Sequence, residues 1–155
     1  MTDMLATIVI NAAIVCAGII GMEFFVIAFH RYVMHGVLWR IHHTHHAPTK
    51  HPLELNDVFV AFFMSIAFAL LLVGGFTSWT FWVGVGVAIY GTAYFVMHDM
   101  IIHKRFLRQP LPTNRYLQAV YRMHMAHHRH VTNDSGEAYG MFLVWPRYWQ
   151  RTSAS

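Results

Sequence analysis

The chain has 155 residues, of which 56% are hydrophobic and 12% are charged, with a formal net charge of +4. Soluble domains carry about 25% charged residues, so this composition excludes an ordinary soluble domain and indicates a membrane protein. The single cysteine, Cys16, excludes an intramolecular disulfide. The length predicts one domain over residues 1–155.

The first apolar segment, over about residues 4–29, predicts a membrane-spanning helix. About 20 apolar residues are enough to cross a hydrocarbon core. We expect the segment to be retained, because "MTDML" lacks the basic start of a cleavable signal peptide. Ala13, Ala17 and Gly21 recur every four residues, which suits close helix–helix contact. An acid inside a span, here Glu23, has either a functional role or a pairing with a neighbouring span.

The second apolar block covers residues 58–97 and is about twice as long as one crossing. Small residues near its middle, at 74–78, predict a tight turn between two helices over 58–76 and 79–97. We therefore expect an all-α integral membrane protein, a bundle of three to four spans with a histidine-rich helical cap.

From residue 98 onward the chain is polar, aromatic and basic. Thr113 predicts the N-cap of an amphipathic helix over 114–129. The Trp and Tyr residues of the segment 138–149 are typical of a membrane–water interface.

All eleven Lys and Arg residues lie within 31–151 and outside the turn at 77–78. The positive-inside rule places that side, and with it the histidine cap, on the cytoplasmic face of the membrane. The net charge is then a consequence of membrane topology, and we expect no nucleic-acid partner.

The histidines recur in two patterns, each present before and after the predicted hairpin. The H-x4-H pattern consists of His30 and His35, then His98 and His103; the H-x2-H-H pattern consists of His42, His45 and His46, then His124, His127 and His128. Helix positions i, i+3 and i+4 share a face, so we expect each H-x2-H-H box to aim three rings at one point. An i, i+5 pair on an α-helix lies about 140° apart, so it needs a distorted or ending helix, or two different metal targets.

Ten imidazoles are too many for one ion and suit two, because one metal takes four to six ligands. The sequence lacks HExxH, CxxC, GxSxG and Glu-x-x-His, which argues against a zinc metalloprotease, a cysteine metal site, a serine hydrolase and a soluble di-iron bundle.

The boxes "HRYVMHG", "HHTHHAP" followed by "ELNDVF", "HDMIIHKRF" and "RMHMAHH" resemble those of the integral-membrane, non-haem di-iron hydroxylase and desaturase superfamily. Within it, they are similar to the bacterial β-carotene hydroxylases over roughly residues 23–145. The resemblance implies two iron ions (with zinc in purified protein as an alternative), dioxygen, and hydroxylation at C3 of β-ionone rings to give β-cryptoxanthin and zeaxanthin.

Carried over by matching boxes, the resemblance implies a set of ten metal ligands. They are His30, His35, His42, His45, His46, His98, His103, His124, His127 and His128. His43 or His130 stays open as a substitute for a member of this set, and we interpret His51 as a loop residue. Asp99, Asn56 and Asp57 are candidates for hydrogen bonds to ligand rings.

The sequence contains no nicotinamide, flavin or iron–sulfur motif, so electrons must come from a separate partner, expected to be a ferredoxin-type carrier with its reductase. Basic residues for its docking are Lys104, Arg105, Arg108, Arg115 and Arg122, with membrane topology and lipid contact as the alternative explanation of their charge. The carotenoid would enter from the bilayer.

Two other kinds of function stay open. One is a fatty-acyl or sterol hydroxylase or desaturase, or a carotenoid ketolase, of the same superfamily. The other is not an enzyme but a membrane metal transporter or sensor.

Overall fold

The computed structural model describes residues 2–47, 51–106, 110–130, 132 and 136–149. Every regular element in these ranges is a helix, which confirms the predicted all-α class. The elements are α1 (Thr2–Phe29), a first π-helix (His30–Val37), α2 (Trp39–His46), α3 (Asp57–Gly74), α4 (Trp79–Phe95), a second π-helix (Val96–Ile102), α5 (Arg115–His128) and a 3₁₀ turn (Pro146–Tyr148).

The chain divides into two compact units. The helical unit comprises Met1–Met22 and Asp57–Tyr94, and the histidine unit comprises Glu23–Asn56 and Phe95–Ser155. Each unit is described by itself below. One domain over the whole chain stays a prediction.

Three helical stretches in the described residues are long and apolar enough to cross a membrane: Thr2–Val37, Asp57–Gly74 and Trp79–Ile102. Their large apolar side chains are widely exposed, for example Phe68 at 62% and Val73 at 87%. Exposure of this kind suits contact with lipid rather than water. The prediction of a membrane protein with three apolar spans is confirmed.

The predicted hairpin is present, with each helix within two residues of its expected bounds. Gly75 adopts a left-handed φ of +62°, a conformation that favours glycine, directly after α3. Ser78 Oγ accepts a hydrogen bond from the Thr80 N–H at 3.2 Å and so caps α4. These turn residues explain why the long apolar block folds into two helices.

Helix contact in the helical unit depends on glycines of α1 and α4. A Cβ at Gly86 would lie 2.6 Å from the Val15 carbonyl oxygen, and one at Gly18 would lie 3.3 Å from the Val83 carbonyl oxygen. The predicted small-residue stripe was wrong in its register: a Cβ at Gly21 would meet nothing within 4 Å. The four-residue spacing indicated a helix with small residues on one face, but it did not identify the face of α1 that packs against α4.

Both H-x4-H boxes fall on π-helical turns at the ends of the apolar spans. In a π-helix an N–H bonds to the carbonyl five residues earlier, so positions i and i+5 are stacked. The His103 N–H donates to the His98 carbonyl at 2.9 Å, and the Leu38 N–H donates to the Val33 carbonyl at 2.9 Å. The distorted helix that the i, i+5 spacing required is therefore present.

Helix α5 begins one residue later than predicted. Its N-cap is Asn114, whose Oδ1 accepts from the Tyr116 N–H at 2.9 Å and the Leu117 N–H at 3.2 Å. The prediction of Thr113 as the cap was wrong, because the asparagine one position later makes both bonds. Buried α5 residues such as Val120 and Met123 anchor the helix in the histidine unit.

Glu23 is buried, and the structure shows which backbone groups its carboxylate binds. Its Oε1 accepts three backbone hydrogen bonds, from the N–H groups of Met141 at 3.0 Å, Phe142 at 2.8 Å and Leu143 at 2.8 Å. The carboxylate thus binds the C-terminal segment of the histidine unit. Within that segment Trp145 and Trp149 are exposed, and their place at a membrane interface stays a prediction.

Candidate metal centre

The ten predicted ligand histidines converge into two groups within the histidine unit. The first histidine group is His30, His35, His42, His46 and His127; the second histidine group is His45, His98, His103, His124 and His128. In each group, one nitrogen from every ring lies within 4.8 Å of all the others. The sequence therefore predicted which rings come together, and their role as metal ligands stays a prediction.

The two box types contribute to the groups in different ways. Each H-x4-H pair stays within one group, as its π-helical turn allows. Each H-x2-H-H box is divided between the two groups. His42 and His46 belong to the first group and His45 to the second. His124 and His128 belong to the second group and His127 to the first. The expectation of three rings aimed at one point was wrong. At about 100° per residue, positions i and i+4 lie about 40° apart, whereas i+3 lies about 60° to the other side of i.

The neighbouring histidines separate clearly from this set. His42 is 1% exposed, whereas His43 is exposed and belongs to neither group. His130 is half-buried and also lies outside both groups, and His51 is exposed. His42 rather than His43 therefore begins its box, and His130 lies outside the last box, as the repeated spacing predicted.

Five of the ten rings have Nδ1 engaged with an acceptor in the part of the chain that the structure describes. The bonds run from His30 to the Tyr139 carbonyl (2.9 Å), from His42 to Asn56 Oδ1 (2.8 Å), from His45 to Glu54 Oε2 (2.9 Å), from His98 to Asp99 Oδ2 (3.1 Å) and from His127 to the Glu137 carbonyl (2.9 Å). Such bonds fix ring orientation and direct the opposite nitrogen, Nε2, toward a metal.

The predicted acceptors Asn56 and Asp99 are thus in place, while Asp57 is not one of these acceptors and begins α3. Sequence reasoning missed Glu54, although it stands two residues before Asn56 in "ELNDVF". It also missed the carbonyls of Tyr139 and Glu137, for which sequence carries no signal, because every residue has a carbonyl.

The tautomers of the rings suit a cation in the first histidine group. A carbonyl only accepts, so the Nδ1 of His30 and of His127 each carries the proton and, in a neutral ring, each Nε2 carries a lone pair. The same holds for His42, which donates to Asn56 Oδ1. The Nε2 atoms of His30 and His42 nevertheless face each other at 2.9 Å. Two lone pairs at this distance repel unless a positive charge lies beside both.

The spacing of these nitrogens suits a metal ion. Ligands at about 2.1 Å from an ion and at right angles to one another lie about 3.0 Å apart. Facing Nε2 pairs are separated by 2.9 Å (His30–His42), 3.1 Å (His42–His46) and 2.9 Å (His103–His124). In the second histidine group, the buried Nε2 atoms of His45 and His128 have no hydrogen-bond partner within the described part of the chain. The residues present therefore fit two metal ions.

Burial favours the neutral form of several rings that lie outside the membrane-spanning segments. Removal from solvent, reinforced by neighbouring rings, lowers the pKa of His46 to about 2, of His103 to about 2 and of His127 to about 3. The same causes hold the pKa of His124 and of His128 well below the usual range. Neutral imidazole is the metal-binding form, and it suits iron, zinc, copper and nickel.

Arg105 supports the centre through contacts with Asp99 and Pro52, and its part in docking stays a prediction. Its guanidinium forms an ion pair with Asp99, its side chain is 6% exposed, and its Nε donates to the Pro52 carbonyl at 3.0 Å. Arg122 Nε donates to the Tyr148 carbonyl at 2.9 Å. Arg108 lies outside the described residues.

Three membrane-length helices and two five-histidine groups define a polyhistidine membrane protein whose donor set suits metal ions. The chain belongs to the fatty acid hydroxylase family, whose model matches residues 15–151. It is accordingly a hydroxylating monooxygenase, which favours the enzyme over the transporter or sensor alternative.

Curated relatives agree with this family. The chain is 41% identical to "Beta-carotene hydroxylase" of Pseudescherichia vulneris over 77% of its own length and 68% of that protein. It is 37% identical to "Beta-carotene hydroxylase" of Pantoea ananas over 88% and 78% of the two chains. It is 39% identical to "Beta-carotene 3-hydroxylase 1, chloroplastic" of Arabidopsis thaliana over 80% of this chain and 41% of the plant protein. No solved structure matches the chain.

Proposed function

We propose that the protein hydroxylates the β-ionone rings of β-carotene at C3, giving β-cryptoxanthin and then zeaxanthin. The observation that carries the proposal is the pair of buried five-histidine groups in a chain of the fatty acid hydroxylase family. The relatives' names supply the substrate, because bacterial and plant proteins of this similarity are called β-carotene hydroxylases.

The chain's own residues would hold two iron ions, one in each histidine group. Iron, when bound, would supply the dioxygen activation that attack on an unactivated C–H bond needs. Zinc is the alternative ion in purified protein, since imidazole also binds zinc. The acceptors on Nδ1 keep each ring in the tautomer that points Nε2 inward, and burial excludes water from the centre.

The stoichiometry of the proposed reaction determines which partners the enzyme needs. One oxygen atom enters the C–H bond and the other leaves as water, which consumes two electrons and two protons. We infer a ferredoxin-type carrier, with its reductase, as the electron source. The apolar carotenoid would reach the enzyme through membrane lipid, because the three spans already place the chain in the bilayer.

We place the histidine unit on the cytoplasmic side of a bacterial inner membrane. The two helices of the hairpin give an even number of crossings between the early and the late histidine boxes. All Lys and Arg residues lie within 31–151 and outside the hairpin, and the positive-inside rule assigns the segments that carry them to the cytoplasm.

The test is expression in bacterial cells that accumulate β-carotene, followed by chromatography of their pigments. We expect β-cryptoxanthin and zeaxanthin from the native chain. His42→Ala should give no hydroxylated pigment, whereas His43→Ala, the same change at an exposed neighbour, should retain most of it. Unchanged β-carotene with altered lipids would instead favour a fatty-acyl or sterol substrate, and a keto pigment would favour a ketolase.

A further inference from the structure

The first histidine group takes two of its ring acceptors from one short stretch of backbone. The His127 Nδ1 donates to the Glu137 carbonyl and the His30 Nδ1 donates to the Tyr139 carbonyl, each at 2.9 Å. A backbone carbonyl can orient a ring only while its own segment is held in place. The accuracy of this group therefore depends on what holds residues 137–143.

Glu23 is the buried group that holds this stretch. It is 5% exposed, and its Oε1 accepts from three consecutive backbone N–H groups, those of residues 141–143. A carboxylate that receives three N–H groups fixes the path of the backbone around it. The contact is close: a Cβ added at Gly140 would lie 2.8 Å from Glu23 Oε1 and 3.0 Å from Ile27 Cγ1.

The second histidine group takes its acceptors from elsewhere. Its Nδ1 bonds go to the side chains of Glu54 and Asp99, and Asp99 is paired with Arg105. None of these acceptors belongs to residues 137–143. Disturbing that segment should therefore affect one group and spare the other.

We propose that Glu23 is a positioning residue for one of the two metal sites, acting through the backbone of residues 137–143 on the His30 and His127 rings. It touches neither ion and no substrate. Its loss weakens the ion held by the first histidine group and leaves the ion of the second group bound. The inference rests on the two-metal centre of the proposed function.

The experiment counts ions rather than product. Full-length protein in detergent is stripped of metal, equilibrated with Zn²⁺ against a chelator, and analysed for zinc per chain. Loss of an outer hydrogen-bond partner typically weakens metal binding about 10- to 100-fold. At a chelator strength that leaves two ions on the native chain, we expect one ion on Glu23→Ala. Asn11→Ala, which removes the other strongly polar side chain between residues 4 and 29, should keep two.

Two further variants identify the site that is lost. Glu54→Ala should also retain one ion, and the double variant Glu23→Ala/Glu54→Ala should retain none, because the two changes act on different groups. If both acted on the same site, the double variant would keep one ion, and the proposal would be overturned. Gly140→Ala displaces the segment while keeping the carboxylate, so it should lose one ion even if Glu23→Ala does not insert.

Retention of two ions, or loss of both, by Glu23→Ala or Gly140→Ala overturns the inference. Its failure is distinct from failure of the proposed function. A native chain that binds two ions but leaves β-carotene unchanged refutes the substrate and leaves the role of Glu23 standing. A native chain that hydroxylates β-carotene while Glu23→Ala keeps both ions refutes only the role of Glu23.

Discussion

Replacing Glu54 tests how much an outer hydrogen bond contributes to the second histidine group. Glu54 Oε2 accepts from His45 Nδ1 at 2.9 Å, and its side chain is 6% exposed. A hydrogen bond to a charged group contributes about 1.5–3 kcal/mol, against about 0.5–1.5 kcal/mol for a neutral one. Glu54→Gln keeps an acceptor and loses the charge, so it should cost about 1.4 kcal/mol, or about tenfold in affinity for one ion. Glu54→Ala leaves a buried N–H without its partner and should cost up to about 100-fold.

The assay is competition between the stripped protein and a chelator of known zinc affinity, followed over a range of chelator concentrations. Two binding phases are expected in the native chain, and only one of them should shift in the Glu54 variants. Asp57→Asn is the matched control, because it makes the same acid-to-amide change three residues away, at the start of α3. Equal shifts in Glu54→Gln and Asp57→Asn, or a Glu54→Ala variant with native affinity, would refute the reasoning.

Three other predictions concern the ligands, the protonation of the centre and the helical unit. His128→Ala should abolish hydroxylation while the protein still inserts, whereas His51→Ala should retain most activity. Pigment analysis measures the activity, and an immunoblot of membranes measures insertion. Activity in His128→Ala would remove that ring from the ligand set. In metal-free protein, burial lowers the pKa of His46 to about 2 and of His127 to about 3. Below about pH 6.5 these rings are therefore protonated in the unfolded state but remain neutral in the folded state, which lowers the free energy of unfolding. Each such ring should cost about 1.4 kcal/mol of stability by pH 5.5, and a melting temperature that does not fall between pH 7.5 and 5.5 contradicts this. Gly86→Ala should lower the melting temperature of the native protein, since its Cβ would meet a carbonyl oxygen of α1 at 2.6 Å; an unchanged melting temperature would show that the helices separate without cost.

The sequence predicted the parts of the fold that follow from hydrophobic length and from turn residues. An apolar block of twice the crossing length must turn, and Gly75 with its positive φ lies where the turn was expected. The repeated histidine spacing likewise identified the rings that meet, because chance does not repeat two patterns in the same order. His42, rather than its neighbour His43, is the buried ring, as the spacing of the later box indicated.

The remaining features depend on tertiary contacts that no local pattern encodes. The division of each H-x2-H-H box follows from an angular offset of about 60° between i and i+3, which matters only once two ions lie side by side. The role of Glu23 could not be read from the sequence, because its partners are backbone N–H groups more than 100 residues later. The π-helical turns were one of two alternatives that the His30–His35 spacing left open, and coordinates were needed to choose between them.

The exchange of one ring between the boxes has a consequence for biogenesis. Neither set of five can be completed by a contiguous piece of polypeptide: 92 residues separate His35 from His127, and the final members of both sets arrive together on α5. While the hairpin is being synthesised, the early imidazoles belong to incomplete sets. Completion of either set must therefore wait for nearly the whole chain, so the finished centre is a late product that follows synthesis of the last helix.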